Sequence, residues 1–446
     1  MKKIWMLYLL FLSGLQLFAQ AISLEEVRVL ALANSRSLAK YNLAIRSAVL
    51  DERSRVYSNL PSLSLGLSGS MSLWSAENSA PVENPFDTFS AGASVSLSQK
   101  IFEGGKTIIQ KALNQIAEES ARKDALAEYY NVLDTADSAF YAVLEAAATL
   151  ESEEASLEST AASLAIAEIR QMAGIISPGD YLKALADKES RENTRNQARR
   201  NLALAVSKLK SLTGLDGIAS LVPVDFSSYE DLVERLGMIS DEDADLLYVK
   251  FWNLLAASNP SLSKARLSSE RAEKNLKLSR TSYLPNLSAS FSTGVNYTQN
   301  NGLERSGGRI SLSASIPVDY WVIGNNVEKS KIALDSAALD YISAEIQLET
   351  ELQSTVINLF GYAGTILSSR RSLEYAERHF EYVTELYRLS QASVSELSDA
   401  LTLLLNSRNS SIKSLYSFLQ GLSKLRSMAA IDDEEMLIKL LMGSES

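Results

Sequence analysis

Ser62-Leu63-Ser64-Leu65-Gly66-Leu67-Ser68-Gly69-Ser70-Met71-Ser72-Leu73 is the stretch from which the rest of the chain can be read. Apolar and small polar residues alternate, and successive side chains of an extended chain point to opposite sides, so one face is leucine and the other serine. The design recurs in Phe89, Ala91, Ala93, Val95 and Leu97 against Ser90, Gly92, Ser94, Ser96 and Ser98. It returns in Leu287, Ala289, Phe291 and Val295 against Ser288, Ser290, Ser292 and Asn296, and in Ile310, Leu312, Ala314 and Ile316 against Ser311, Ser313 and Ser315. Strands are therefore expected over about 62–75, 88–102, 286–299 and 308–319, with 76–87 and 300–307 as loops. A solvated strand face usually carries Lys and Glu, whereas these polar faces are small and nearly uncharged. That suits a transmembrane barrel strand, which takes about 9–11 residues with lipid-facing and lumen-facing side chains alternating. A soluble sandwich with one wet face is the competing reading. Four strands cannot close a barrel, because even eight make one only just wide enough to be filled by its own side chains. The chain must associate, and three copies would supply twelve strands.

Downstream of each strand pair the period changes from two to the three-and-four spacing of coiled coils. Leu126, Tyr130, Leu133, Phe140 and Leu144 carry it in the first half, and Leu352, Val356, Leu359, Ala363, Ile366, Leu373 and Phe380 in the second. No proline interrupts Gly105–Ala173 or anything after Val318, so neither stretch contains the residue that costs a helix interior about 3 kcal/mol. About 70 helical residues would span roughly 100 Å.

The halves are also alike in detail. Ala33-Asn34-Ser35-Arg36-Ser37-Leu38 and Leu60-Pro61-Ser62-Leu63 recur, at one shared spacing, as Ala257-Ser258-Asn259-Pro260-Ser261-Leu262 and Leu284-Pro285-Asn286-Leu287. Two separated landmarks at one spacing mark an internal repeat. The expected organisation is a signal segment 1–21, a first repeat 22–213, a linking segment 214–245, a second repeat 246–430 and a tail 431–446.

Composition narrows the function classes. Eight prolines and 20 glycines in 446 residues favour long helices. A net charge of -11 argues against a nucleic-acid partner, which would require a basic face. Residues 2–21 run from Lys2 and Lys3 through an apolar stretch to Ala19-Gln20-Ala21, the build of a secretory signal cleaved after Ala21; an uncleaved anchor is the alternative. No later run of about 18 apolar residues exists, so membrane residence would need a closed barrel. The chain has no cysteine and one histidine, His379. A metal site, a catalytic triad and a cofactor are not expected, and no catalytic residue is assigned. Gly104-Gly105-Lys106-Thr107 lacks the first glycine of a phosphate loop. The acid runs Glu153-Glu154 and Asp432-Asp433-Glu434-Glu435 are expected to be solvated faces.

This order of features resembles the TolC-like outer-membrane efflux family from about Ala21 to residue 430. The helix-to-strand element is seen as Tyr57-Ser58-Asn59-Leu60-Pro61 and Tyr283-Leu284-Pro285, and the strand-to-helix element as Ile101-Phe102-Glu103-Gly104-Gly105. Its second copy, Pro317-Val318-Asp319-Tyr320-Trp321, keeps the acid without the glycines. The resemblance implies a mainly α fold with a membrane β-barrel part: a homotrimeric twelve-stranded barrel, four strands per chain, continued by a long α-helical coiled-coil barrel. It implies outer-membrane lipid around the barrel, and a periplasmic adaptor and an inner-membrane pump as partners. The function implied is a passive exit duct for efflux or type I secretion, with no enzyme activity. The alternative is a trimeric barrel-anchored coiled-coil surface protein, although such a fibre would carry its four strands contiguously.

Within the family, two helix-helix turns form the closed tip. The first resembles Ala173–Tyr181, with Gly174, Ile175, Ile176 and Ser177 as the implied adaptor contact. The second resembles Leu389–Leu397, where Ser390 stands in place of the usual glycine. Glu396 and Asp399 fall where the family places acids around the inner aperture, and Asp180 and Tyr387 on its gate network. Ala392 occupies the position of the gate arginine, and Arg388, one turn earlier, is the expected substitute.

Overall fold

A computed structural model describes residues 21–71, 73, 88–215, 217, 220–299 and 302–443. The proposed signal segment before residue 21 and the loop 76–87 lie outside these described residues. The first half contains α1 (Leu24–Asn34), α2 (Arg36–Ser58), β1 (Ser62–Ser70), β2 (Ser90–Glu103), α3 (Lys106–Met172) and α4 (Pro178–Thr213). A 3-10 turn (Phe226–Tyr229) and α5 (Glu230–Gly237) follow, and then the order repeats. The second half contains α6 (Asp241–Ser258), α7 (Pro260–Arg280), β3 (Asn286–Thr298), β4 (Gly302–Ser315), α8 (Tyr320–Arg388), α9 (Val394–Ala429) and the tail helix α10 (Glu434–Met442). The equivalent long helices α3 and α8 have 67 and 69 residues, and α4 and α9 have 36 each. The chain divides into two compact units.

One unit takes Tyr41–Asp124 and Ser261–Glu345. Its sheet has the order β1-β2-β3-β4, every pair antiparallel, so β1 and β4 are left as open edges. The register keeps the two faces apart: Leu65 pairs with Val95, and Ser96 with Ser292. On the apolar face Leu63, Leu65, Leu67, Ile310 and Leu312 are all exposed, Leu65 at 71%. On the other face hydroxyls bond to one another across strands, Ser64 to Ser96 at 2.6 Å and Ser70 to Ser90 at 2.8 Å. The helices of this unit also leave apolar stripes uncovered, Leu43, Leu50 and Tyr57 on α2 and Ile332, Leu339 and Ile342 on α8. Gly104 and Gly105 both have positive φ, 62° and 82°, at the turn from β2 into α3. That left-handed pair is why two glycines close the strand-to-helix element.

Strand limits differ from the alternation in two places. β1 ends at Ser70, short of 75, and β4 runs Gly302–Ser315 where alternation marks 308–319. In β4, Glu304, Arg305, Gly307 and Gly308 hide the period of two, while main-chain pairing with the full length of β3 continues through a register shift between Ser292 and Gly294. Part of the expected 300–307 loop is therefore strand.

The other unit takes the described parts of Met1–Lys40, Ala125–Pro260 and Ile346–Ser446. Phe140 on α3, Leu352, Leu359 and Ile366 on α8, and Phe418, Leu419 and Leu425 on α9 have almost no exposed surface. Each such side chain contributes about 1.5–3 kcal/mol by leaving water. Within it lies Asp137, wholly buried, which accepts from Arg28 Nε (2.7 Å) and Nη2 (2.9 Å), Ser423 Oγ (2.7 Å) and Arg426 Nη2 (2.7 Å). Glu434 of α10 lies 3.7 Å from Arg28 and accepts from the Tyr229 hydroxyl at 2.6 Å. The segment 214–245 and the tail are thus tied together, and α10 buries Leu437 and Leu441. Tyr130 donates to the Ala430 carbonyl at 2.9 Å, and burial pushes its hydroxyl up to about 12.

Glu154, Asp432, Asp433 and Glu435 are exposed, as expected of solvated faces, and the contacts correct that expectation for Glu153 and Glu434. Glu434 is an ion-pair partner, Asp433 caps α10 through the Glu435 amide, and Glu153 is 4% exposed. Acids at 241–245 open α6 behind the Ser240 cap, which accepts from the Asp243 amide, so this part of the linking segment is helical.

Candidate functional site

Each pair of long helices is joined by a five-residue turn built the same way twice. α3 ends with Gly174 at φ 72°; the Gly174 amide donates to the Gln171 carbonyl (3.0 Å) and the Ile175 amide to that of Arg170 (2.8 Å). α8 ends with Ser390 at φ 62°, its amide donating to Tyr387 O (3.0 Å), while the Gln391 amide donates to Leu386 O (2.8 Å). This is the Schellman arrangement, which needs one left-handed residue. Glycine takes that conformation freely; serine takes it at a cost of about 1–2 kcal/mol.

The next helix then opens with a capping box in both turns. Ser177 Oγ accepts from the Asp180 amide (3.1 Å), and the Asp180 carboxylate accepts from the Ser177 hydroxyl (2.8 Å) and amide (3.3 Å). Ser393 Oγ accepts from the Glu396 amide (3.2 Å), and the Glu396 carboxylate accepts from the Ser393 amide (2.7 Å) and hydroxyl (2.9 Å). Those bonds from the Ser393 backbone and hydroxyl hold the Glu396 carboxyl below the usual carboxylate range. The cap therefore fixes the charge and keeps it ionised.

The residues expected to act at the tip separate into two sets. Asp180, Glu396 and Asp399 are exposed, and Glu396 and Asp399 stand one turn apart on α9. Gly174, Ser177 and Ile175 are exposed, the last at 61%, whereas Ile176 packs on the apolar cluster beneath the turns. Arg388 is exposed and pairs with Glu385 at 2.8 Å. Tyr387 belongs to the buried set, 2% exposed, and its hydroxyl donates to Ser163 O at 3.3 Å. Asp180 is engaged by its own cap and Tyr387 by α3, so the two do not meet in the chain. Burial also raises the Tyr387 hydroxyl above its ordinary value.

Sequence reasoning missed Arg170. It is buried on the last turn of α3, donates through Nη2 to the Tyr387 and Arg388 carbonyls, and its Cζ lies 4.4 Å from the centre of the Tyr387 ring. The available signal was the continuation of the α3 seam beyond Leu144, at spacings of three and four, as Glu153, Ser156, Thr160, Ser163, Ala167 and Arg170. These positions face inward but are polar or small, so hydrophobicity does not reveal them. Ser152 Oγ, Glu153 Oε2, Ser156 Oγ and Asn409 Oδ1 are buried there without hydrogen-bond partners. Among the described residues no group of His, Cys, Asp or Glu is arranged to hold a metal, and no helix is long and apolar enough to cross a membrane.

An antiparallel sheet with one lipid-compatible face, one hydroxyl face and two open edges, joined to long capped helix pairs, defines an outer-membrane channel subunit. Comparison with known proteins names the group: residues 27–215 and 252–430 match the model of the outer membrane efflux protein family, and the chain belongs to that family. It is 24% identical to the outer membrane protein TolC of Escherichia coli (strain K12), over 96% of this chain and 86% of the relative. Among solved structures it is similar to the Campylobacter jejuni CmeC outer membrane channel (TM-score 0.76, 18% identity, 93% of this chain and 88% of that one). It is also similar to the open state of the Neisseria gonorrhoeae MtrE outer membrane channel (TM-score 0.70, 14% identity, 92% and 89%).

Proposed function

We propose that three copies of this chain close into one passive exit duct in the outer membrane, fed by an inner-membrane pump through a periplasmic adaptor. The open edges β1 and β4 carry this reading. An even number of alternating strands puts β1 of one copy antiparallel to β4 of the next, so no edge remains in lipid, where an unpaired backbone group is costly. Two copies would give an eight-stranded barrel filled by its own side chains, and three is the smallest number that leaves a lumen. The α2 stripe Leu43, Leu50 and Tyr57 and the α8 stripe Ile332, Leu339 and Ile342 then cover one another between neighbours. Serine hydroxyls line the barrel, which offers passage without a charged binding site.

The tips form the gate. Glu396 and Asp399 from three copies place six carboxylates around the aperture, favouring cations at the mouth and repelling one another as it narrows. Asp180 and Tyr387 brace the two turns, and Arg388 is free to exchange its exposed partner Glu385 for an acid of a neighbour, since such pairs are worth little. Gly174, Ile175, Ile176 and Ser177 receive the adaptor, with the Ile175 side chain presented outward. The polar seam below the tips supports a moving part, because small hydroxyl side chains bury less apolar surface per turn than the leucines farther up.

Purified trimer in a planar bilayer tests this. It should conduct with a preference for cations, and Glu396→Gln with Asp399→Asn should reduce that preference. A trimer that never conducts, even with both acids neutralised, would refute the duct. An Arg388→Ala channel indistinguishable from the parent would remove Arg388 from the gate.

A further inference from the structure

We infer that Arg170 is the latch of the second tip: a positioning residue that holds the end of α8, and so the first turn of α9 with Glu396 and Asp399, against α3. This rests on reading the tips as the gate.

Arg170 is 7% exposed and has no carboxylate partner among the described residues. A buried cation is tolerated only if other groups satisfy it. Among the described residues the compensation comes from the end of α8, the Tyr387 and Arg388 carbonyls and the face of the Tyr387 ring. These carbonyls lie in the last turn, where acceptors lack helical partners and the helix dipole is negative, so a guanidinium suits them. Tyr387 answers in the other direction through its hydroxyl on Ser163 O. α3 thus grips α8 at Arg170, and α8 grips α3 at Ser163, two turns back.

Two further features make this grip a latch. The strained Ser390 lies two residues past Arg388 and donates its amide to the same Tyr387 carbonyl that Arg170 holds (3.0 Å), so the left-handed turn is tied to that carbonyl. Beside the Tyr387 ring lies a cavity of about 30 Å³, bordered by Ser163, Ala184, Asp187, Leu397 and Leu401, which leaves the ring room to shift. Moving α8 and α9 away from α3 requires Arg170 to leave both carbonyls and the ring together. Arg388, exposed and paired with Glu385, carries no such load.

The test compares single-channel conductance and cation preference of the parent, Arg170→Ala, Arg170→Lys, Tyr387→Phe, Arg388→Ala and the Glu396→Gln/Asp399→Asn pair, with trimer melting measured alongside. Loss of the latch should raise conductance about fivefold or more in Arg170→Ala, beyond any change in Arg388→Ala. Arg170→Lys should recover part of the closure, since an ammonium reaches one carbonyl but lacks the flat fork that also stacks. Tyr387→Phe, which removes only the Ser163 bond, should give a smaller rise, and both conservative variants report on the latch if Arg170→Ala does not assemble. Parental conductance in all Arg170 variants, with altered cation preference in the acid pair, would overturn the latch and leave the gate standing. Parental behaviour of every variant would overturn the gate and the latch together.

Discussion

Replacing Asp137 by alanine should be among the most damaging single changes in the chain. Its carboxylate has no exposed surface and accepts four hydrogen bonds, three of them from Arg28 and Arg426. The side chains of those arginines are 9% and 4% exposed, and the other acids that pair with Arg28 lie toward solvent, Glu25 at 75% exposed and Glu434 at 30% and 3.7 Å away. Asp137→Ala therefore leaves two buried guanidinium groups facing each other across the space of the lost carboxylate. Breaking a buried pair in this way costs about 3–5 kcal/mol; a loss of about 4 kcal/mol is nearly a thousandfold in the folded ratio. The loss should start at α1 and α10, the short helices that bring Arg28 and Glu434 to this cluster. A trimer that unfolds irreversibly reports a rate, so the assay is the half-life of purified trimer at a fixed elevated temperature, together with amide exchange in α1 and α10. Exchange should rise in both helices while conductance stays parental, because the cluster is not part of the tips. Replacing Arg28, Asp137 and Arg426 together by apolar residues of similar size should restore much of the half-life, since removing a whole buried ionic group is often neutral. If Asp137→Ala lasts as long as the parent, the cluster is not a stabilising centre and the reasoning fails.

The two tips invite opposite substitutions: Ser390→Gly should stabilise the protein by about 1 kcal/mol and Gly174→Ala should destabilise it by about as much, because both positions are left-handed; a thermal melt showing the same sign for both would contradict this. Glu396 has its folded pKa lowered, so its capping contribution is complete above the unfolded carboxyl value and is lost as pH falls through the folded one. Amide exchange at Ser393 and Glu396 should therefore accelerate only below the usual carboxylate range, and acceleration near neutrality would count against the cap. Leu65→Lys places a charge on the lipid face of β1 and should cost about 2–4 kcal/mol of barrel stability. Ser64→Lys, on the hydroxyl face, should assemble nearly normally; equal yields of folded trimer from both would undo the assignment of faces.

Much of this protein follows from local pattern alone. Strict alternation from Ser62 onward specifies strands, their two faces and their insufficiency to close, because side-chain direction has a period of two whatever the partner strand. The absence of proline and the heptads around Tyr130 and Leu359 specify long helices, and Ser177 with Asp180 and Ser393 with Glu396 mark where the second helices begin, since a capping box spans only four residues. Long-range pairing decided the rest. β4 extends through Glu304 and Arg305 because β3 offers main-chain partners there, which side-chain period cannot report. Arg28, Asp137, Arg426 and Glu434 are scattered along the chain, and each alone resembles an ordinary surface charge. Only the packing of α1, α3, α9 and α10 makes them a buried cluster, and only the meeting of α3 with α8 turns Arg170, an unremarked arginine before a glycine, into the partner of Tyr387. The physical reason is that burial and ion pairing are properties of the neighbours a residue acquires on folding, whereas period, capping and left-handed turns are properties of the residues themselves.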